Sequence, residues 1–426
     1  MLKDSDVVFH FSVIDRFLLG MLVASIFFEP YLPYFAGSST PFWIFVIAFF
    51  YSAVTRIQTF EKVLSSYYFL AVIGFALVCA LMESFHPSSD YSVVTRFISM
   101  SSGMFCISLL CRNSKTIDVI MYTFIFCSAL NAIIIIEGTF DFLTAYSAAG
   151  FDEASRARIT AFEDLTVKDY VDDVSILSSI GAILGMVMFF YQKVKWKKIM
   201  LFILLVLSTI GTLLPASRTG ALVLVVGMGI FLFKSKISWK RLIIPAVCVS
   251  LFMYFFIPQV VWERIVSTLN FTEIREVDSR ARLYTAMFTH FKDYFFDGVG
   301  MGNYWKSWAV ASGITNISSY HEAKPIHSAF FQVWIYWGLP GIISFLCMLY
   351  IFSRALKRNS LNNRQVTGIY IFIVVIPVIL LFYPMIYHKA FAVGTGLMLA
   401  AKFWNINGEA EDGETLAENP DFNPNV

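Results

Sequence analysis

Twelve long apolar runs divide the 426 residues of this sequence, and they constrain its fold more than any other feature. A helix that crosses the apolar core of a bilayer needs about 20 mostly apolar residues. Most of the runs reach that length, and they lie at approximately 11–30, 41–55, 64–84, 93–111, 117–137, 173–191, 199–215, 219–234, 242–261, 328–354, 366–386 and 389–404. Charged residues make up only 15% of the chain, against about 25% in soluble domains. The sequence therefore predicts an all-α polytopic membrane protein of about twelve transmembrane helices, and it excludes a soluble enzyme, a disordered chain and a fibrous repeat.

Basic residues alternate between the two sides of the predicted membrane. With the N-terminus inside, every inner connection contains Lys or Arg: Arg56 and Lys62, Arg112 and Lys115, Lys193 to Lys198, Lys234 to Arg241, and Arg354 to Arg364. The short outer connections near 31–40 and 86–92 contain none. Because cytoplasmic loops are enriched in Lys and Arg, we predict that both termini are cytoplasmic.

The connections and termini divide the chain into one membrane domain and a tail. The domain covers 1–404 and includes two long outer loops, 138–172 and 262–327. The second loop has aromatic residues at helical spacing, so we expect it to be partly helical and folded onto the outer membrane face. The segment 405–426 is acidic and contains no basic residue, which predicts a disordered cytoplasmic tail.

Charged residues near the ends of the spans are the first candidates for function, because charge is costly in a membrane. Asp15 and Arg16 lie near the start of the first span, where we expect them to pair locally at the inner interface. Arg96 lies at the outer start of the fourth span. It either extends to the interface or contributes to binding of an anionic substrate.

A tight outer turn between the seventh and eighth spans contains Ser217-Arg218-Thr219-Gly220. Arg218 offers a permanently charged, bidentate donor that suits phosphate. Ser217 and Thr219 add hydroxyl groups, and the start of the eighth span adds helix-end amides. This turn therefore predicts a site for an anionic group, with contact to lipid headgroups as the alternative.

Two further segments that contain candidate functional residues lie in and after the second outer loop. Arg280 and Arg282 open an amphipathic stretch that ends in a turn-rich segment at Gly298, Gly300 and Gly302. No strand precedes these glycines, so they are not a dinucleotide-binding fingerprint. His327 lies at the outer mouth of the tenth span, where it is either a neutral interface residue or a proton acceptor.

Together these segments resemble the O-antigen ligase and polymerase superfamily of bacterial inner-membrane glycan transferases. The resemblance consists of the Ser217–Gly220 turn, then Arg280 four residues before Tyr284 and eighteen before Gly298, then His327 eleven residues before Gly338. It covers roughly 170–355 within a twelve-span frame.

The resemblance implies a GT-C-like fold and a multi-pass protein of the inner membrane with a periplasmic active site. It implies transfer of a glycan from undecaprenyl diphosphate to a hydroxyl acceptor by a metal-independent, inverting mechanism without a cofactor. His327, Arg218 and Arg280 would be catalytic. The arginines would neutralise the diphosphate, His327 would act on the acceptor hydroxyl, and Ser217, Thr219, Arg282 and Arg96 would bind substrate. Which of Arg280 and Arg282 faces the site stays open.

Three alternatives remain at this point. A ligase would use lipid A–core as the acceptor and a polymerase would use another lipid-linked glycan, and we favour the ligase slightly. A transporter or lipid flippase would show inverted repeats or broken helices near the midplane, and neither is evident in the sequence. A structural scaffold would leave the outward-facing Arg and His residues unexplained.

Overall fold

The computed structural model is all-α in every part of the chain that it describes. These residues are 4–32, 40–87, 89–111, 114–148, 171–234, 287–303, 328–355, 364–383 and 389–403, with 247, 251, 254–255, 257, 261–262 and 284–285. Among them, six helices are long and apolar enough to cross a membrane, and four shorter apolar helices accompany them. The prediction of an all-α polytopic membrane protein is confirmed.

Eleven of the predicted spans coincide with helices in the described ranges. We label the longer helices α1 (Asp4–Phe28), α2 (Thr40–Thr55), α3 (Ile57–Leu64), α4 (Tyr67–Ser84), α5 (Ser92–Leu110), α6 (Ser114–Ala148), α7 (Val171–Tyr191), α8 (Lys195–Leu213), α9 (Arg218–Lys234), α10 (Ala329–Ala355), α11 (Arg364–Phe382) and α12 (Lys389–Phe403). The extra element is α3, a short helix in the connection between the second and third predicted spans. The ninth predicted span, 242–261, contains only scattered described residues, and the tail 405–426 lies outside them, so the count of twelve stays a prediction.

Helix α6 is longer than the sequence predicted. The fifth span was expected at 117–137, followed by the outer loop 138–172, but α6 continues to Ala148. The added stretch contains one glycine, Gly138, and no proline. A single glycine weakens a helix without ending it, so the first part of the predicted loop continues α6.

Glycine residues allow the central helices to approach closely around α7. A Cβ atom added to Gly181 of α7 would lie 2.3 Å from Ser128 Oγ of α6, and one added to Gly211 of α8 would lie 2.8 Å from the Ala132 Cβ. Small residues at such contacts let helix backbones pack tightly in membranes. This packing brings the outer ends of α6, α7 and α8 together beneath the turn that leads into α9.

The predicted inner ends are joined by a buried ion pair. Asp15 of α1 pairs with Arg56, which follows α2, and Tyr51 donates a hydrogen bond to Asp15. Arg56 Nη1 also donates to the carbonyl oxygen of Leu109 at the end of α5, at 2.8 Å. The partner of Asp15 is therefore Arg56 of another segment. Helix packing thus brings a more distant arginine to Asp15, and the expected local pair with Arg16 stays a prediction.

Contacts between helix ends agree with the predicted alternation. Gln365 Nε2 of α11 donates to Asp118 Oδ1 of α6 at 2.9 Å, and both residues lie at ends predicted to be inner. At the other end of the bundle, Ser175 Oγ of α7 donates to the carbonyl oxygen of Thr212 in α8 at 2.6 Å. The ends grouped together by sequence thus meet in space. Which group faces the cytoplasm stays a prediction, and we keep the terms inner and outer for the two ends.

Candidate functional site

The turn between α8 and α9 is buried among the helix ends and is fixed by hydrogen bonds. Helix α8 ends at Leu213, and Ala216 reverses the chain with a φ of 51°. Ser217 then caps α9: its Oγ accepts from the Gly220 amide at 3.4 Å, and its carbonyl oxygen accepts from Ala221 at 3.1 Å. Serine is a favoured residue at this position because its side chain satisfies an otherwise open amide.

Gly220 is required by the contact between α9 and α7. A Cβ atom at Gly220 would lie 2.0 Å from Ser175 Oγ, the same hydroxyl that bonds to Thr212. The start of α9 is therefore fixed against both α7 and α8. This explains physically why a glycine closes the Ser-Arg-Thr-Gly motif.

Arg218 is the first residue of α9 and is half-buried, whereas Ser217 and Thr219 are buried. The first amides of a helix have no partner within the helix, and the helix dipole favours anions at this end. Arg218 thus lies at a helix start that is rigidly held and electrostatically suited to an anionic group. This is the position that the sequence predicted for it.

A second feature of the outer region is a break in the first half of α10. The helix loses its regular geometry at Trp337 (φ −127°, ψ 15°) and Gly338 (φ 59°, ψ −155°). Pro340 has no amide hydrogen, so the carbonyl oxygen of Tyr336 lacks its usual partner within the helix. The break therefore leaves backbone groups that need partners elsewhere.

The second outer loop provides these partners through its backbone. Val299 donates to the carbonyl oxygen of Ile335 at 2.8 Å, and Gly300 donates to that of Tyr336 at 3.0 Å. In return, the amide of Leu339 donates to the carbonyl oxygen of Phe296 at 3.1 Å. Three hydrogen bonds thus join the segment 296–300 to the break, and we call this arrangement the backbone clasp.

The motif glycines allow the clasp to form. Gly298 and Gly300 have φ values of 74° and 73°, which favour glycine. A Cβ atom at Gly298 would lie 2.4 Å from the Tyr336 oxygen, and one at Gly338 would lie 2.1 Å from the Phe296 oxygen. The predicted turn-rich segment is confirmed at 298–300. One close backbone approach explains Gly298 and Gly338, whereas a Cβ atom at Gly300 would lie 2.6 Å from the His86 ring.

Aromatic side chains extend the contact between this loop and α10. The Tyr284 and Phe331 rings lie 5.7 Å apart, and Trp334 Nε1 donates to the carbonyl oxygen of Phe295 at 3.2 Å. Burial raises the pKa of the Tyr294 phenol to about 12, so it remains a donor, and it bonds to the carbonyl oxygen of Met287 at 2.9 Å. These residues of the loop thus pack against α10, and the expected position on the outer membrane face stays a prediction.

Glu83 anchors the same region, and sequence reasoning missed it. This fully buried carboxylate at the end of α4 accepts from three donors. Oε1 accepts from the Asp90 amide at 2.8 Å, Oε2 accepts from Trp337 Nε1 at 3.0 Å, and the Met301 amide lies 3.2 and 3.1 Å from the two oxygens. Glu83 therefore joins α4, the connection to α5, the loop and the break in α10.

A signal for Glu83 was present in the sequence. It is an acidic residue inside the predicted third span, where a charge is costly unless it is paired or hydrogen-bonded. Its donors come from residues up to 254 positions away, which no local pattern indicates.

The remaining predicted site residues fall into two groups. Arg96 is exposed in the first turns of α5, and the same helix begins with Ser92, whose Oγ lies 3.6 Å from Met301 Sδ. His327, Arg280 and Arg282 lie outside the described residues. The structure thus brings together Tyr284 and Gly298 of the Arg280 motif and Gly338 of the His327 motif. The convergence of Arg218, Arg280 and His327 stays a prediction. No group of three metal-binding side chains is found in the described ranges.

We predict that Gly338→Ala disrupts the clasp. The new methyl group would collide with the Phe296 oxygen, and the backbone region is open essentially only to glycine, so we expect a loss of stability of at least about 2 kcal/mol. The measurement is thermal unfolding of the detergent-solubilised protein. Gly74→Ala is the matched control, because nothing lies within 4 Å of its added Cβ. Equal midpoints for the two variants would contradict the prediction.

Comparison with known proteins places this region in a family. A family model described as O-antigen ligase matches residues 203–346, which include the Ser217–Gly220 turn, the clasp and the start of α10. No curated protein matches the chain. Members of the family are glycosyltransferase-like enzymes of the O-antigen ligase or polymerase type. The resemblance predicted from the motifs is confirmed for the segment 203–346, which is similar to the O-antigen ligase family.

Proposed function

We propose that the protein transfers a glycan from undecaprenyl diphosphate to a hydroxyl acceptor at the periplasmic face of the bacterial inner membrane. The acceptor in this proposal is lipid A–core, as in an O-antigen ligase. The reaction is inverting. It requires no metal ion, because arginine side chains offset the charge of the diphosphate.

The backbone clasp is the observation that supports this proposal most strongly. It holds the segment after Arg280 and Tyr284 against the helix that starts two residues after His327. The Ser217–Gly220 turn lies at the same predicted end of the bundle. Three motifs that are far apart in sequence are therefore assigned to the same predicted end of the bundle, as a single transfer site requires.

Each predicted residue has a distinct role in this site. Arg218 and one of Arg280 and Arg282 bind the diphosphate and stabilise it as the leaving group. Arg280 is the preferred partner because it keeps the four-residue offset to Tyr284. His327 accepts the proton from the acceptor hydroxyl, or orients it, as the new glycosidic bond forms. Ser217, Thr219 and Arg96 contribute further contacts to the substrate.

The break in α10 bears on the transporter alternative. Transporters use broken helices whose free ends bind substrate or ions near the midplane. Here the freed carbonyl oxygens of Ile335 and Tyr336 are already paired with Val299 and Gly300. The break therefore serves to dock the outer loop, which supports an outer-face enzyme over a carrier.

A reconstituted transfer assay tests the proposal directly. The purified protein is incubated with an undecaprenyl-diphosphate-linked glycan and either lipid A–core or a second lipid-linked glycan as the acceptor. We expect product only with lipid A–core. Product only with the lipid-linked glycan would make the protein a polymerase, and no product with either acceptor would refute the transferase assignment.

We predict that Arg218→Lys loses at least about 90% of the activity at normal membrane abundance. Lysine keeps the charge, but a point charge cannot replace the two parallel hydrogen bonds that guanidinium forms with a diphosphate. The control is Arg354→Lys, an exposed arginine near the predicted inner end of α10, which should keep full activity. Full activity of Arg218→Lys would reduce Arg218 to a headgroup contact.

We predict that His327→Ala abolishes transfer while the lipid-linked donor still binds, because the histidine acts on the acceptor. Wild-type activity should decline at acidic pH, since a protonated imidazole cannot accept the proton. Excess EDTA should leave the wild-type rate unchanged. The measurements are the transfer rate and donor binding by the purified proteins. A rate that EDTA removes and Mg²⁺ or Mn²⁺ restores would overturn the metal-free mechanism.

A further inference from the structure

Two buried polar side chains lie at the mouth of α10. Ser328 directly precedes the helix and is fully buried, and its carbonyl oxygen accepts from the Gln332 amide at 2.9 Å. Gln332 lies one turn further and is 6% exposed. The backbone hydrogen bond places the two residues one helical turn apart at the start of α10.

Each of these side chains has a buried polar atom without a hydrogen-bond partner among the described residues. The atoms are Ser328 Oγ and Gln332 Oε1. Gln332 is nevertheless fixed in place, because its Nε2 donates to the Tyr336 hydroxyl at 3.0 Å. Buried polar groups in proteins are nearly always paired, so two such atoms one helical turn apart indicate that a bound molecule completes them.

Other buried serines in the bundle show why Ser328 is distinct. Ser52 and Ser101 donate to carbonyl oxygens four residues earlier in their own helices. The Oγ atoms of Ser178 and Ser208 have no hydrogen-bond partner among the described residues, but each residue follows a complete helical turn whose carbonyl oxygens a rotated hydroxyl reaches. Ser328 precedes its helix, where a serine can cap the first amides, yet its Oγ makes no such bond.

The chemistry of the pair favours a neutral hydroxyl group as its ligand. Neither side chain carries a charge, so the pair does not suit a diphosphate, for which arginine is the better partner. An alcohol both donates and accepts, and it can therefore satisfy a serine hydroxyl and an amide together. Turning the Gln332 amide over would leave an N–H group unpaired instead of the oxygen, and a hydroxyl pairs with either.

We propose that Ser328 and Gln332 bind a hydroxyl group of the acceptor sugar. This inference rests on the proposed function, because that function requires an acceptor hydroxyl beside His327, and Ser328 is the next residue in the chain. Gln332 is oriented by Tyr336, whose carbonyl oxygen accepts from Gly300 in the clasp. The clasp thus supports the geometry of the hydroxyl-binding pair.

The test compares Gln332→Met and Ser328→Ala with the wild type in the transfer assay. Both variants remove the polar atoms with little change in shape. Loss of one hydrogen bond to a neutral group changes a binding constant by about three- to tenfold. We expect the KM for lipid A–core to rise by about that factor in each variant, while the KM for the lipid-linked donor stays unchanged. The thermal midpoint should stay unchanged in Ser328→Ala and fall in Gln332→Met, which also removes the hydrogen bond to Tyr336.

Gln365→Met is the matched control. Gln365 is also a buried glutamine of a membrane helix, but its amide is paired with Asp118 at the predicted inner end. We expect this variant to lose stability and to keep its acceptor KM. An unchanged acceptor KM in both Gln332→Met and Ser328→Ala would overturn the proposal, and a rise confined to the donor KM would overturn the assignment to the acceptor.

A binding measurement separates this inference from the proposed function. If the wild type transfers nothing, the proposed function fails, and the shift of the thermal midpoint with lipid A–core still decides on the pair. A shift in the wild type that is absent in Gln332→Met supports the pair. Equal shifts, or no shift in either protein, overturn it.

Discussion

The outer region of the protein depends on one constraint: backbone polar groups in a membrane protein must be paired when no water reaches them. The break at Trp337 and Gly338 frees groups that a regular helix would have paired internally. Segment 296–300 provides their partners through the backbone clasp. The clasp therefore determines where the loop docks, and glycines are needed wherever the two backbones come closest.

Glu83 makes this docking cooperative. A buried carboxylate without hydrogen bonds would be strongly destabilising, but this one receives donors from Asp90, Met301 and Trp337. Each donor belongs to a different segment, so loss of any one contact weakens the others. The loop, α4 and α10 are thereby held as one unit, which preorganises the region that borders the predicted transfer site.

The sequence predicted what local patterns encode, and it failed where partners are distant. Apolar length and basic loops predicted eleven of the helices seen in the described ranges, and the Gly298 to Gly302 turn followed from composition. The pairing of Asp15 with Arg56, which helix packing brings from another segment, had no local signal. The break in α10 had a local signal in Gly338 and Pro340, but the pairing of its backbone with a loop about forty residues earlier had none. Glu83 was missed for the same reason.

The hydrogen bonds of Glu83 also bear on which residue acts as the base. A carboxylate oxygen accepts about two hydrogen bonds, and each oxygen of Glu83 already has two donors within 3.2 Å. To accept a proton from a substrate, Glu83 would have to release the loop or Trp337, and the clasp would lose its anchor. Glu83 therefore has a structural role and not that of a base. The proposed base, His327, precedes α10 in the chain, and its role as the proton acceptor stays a prediction.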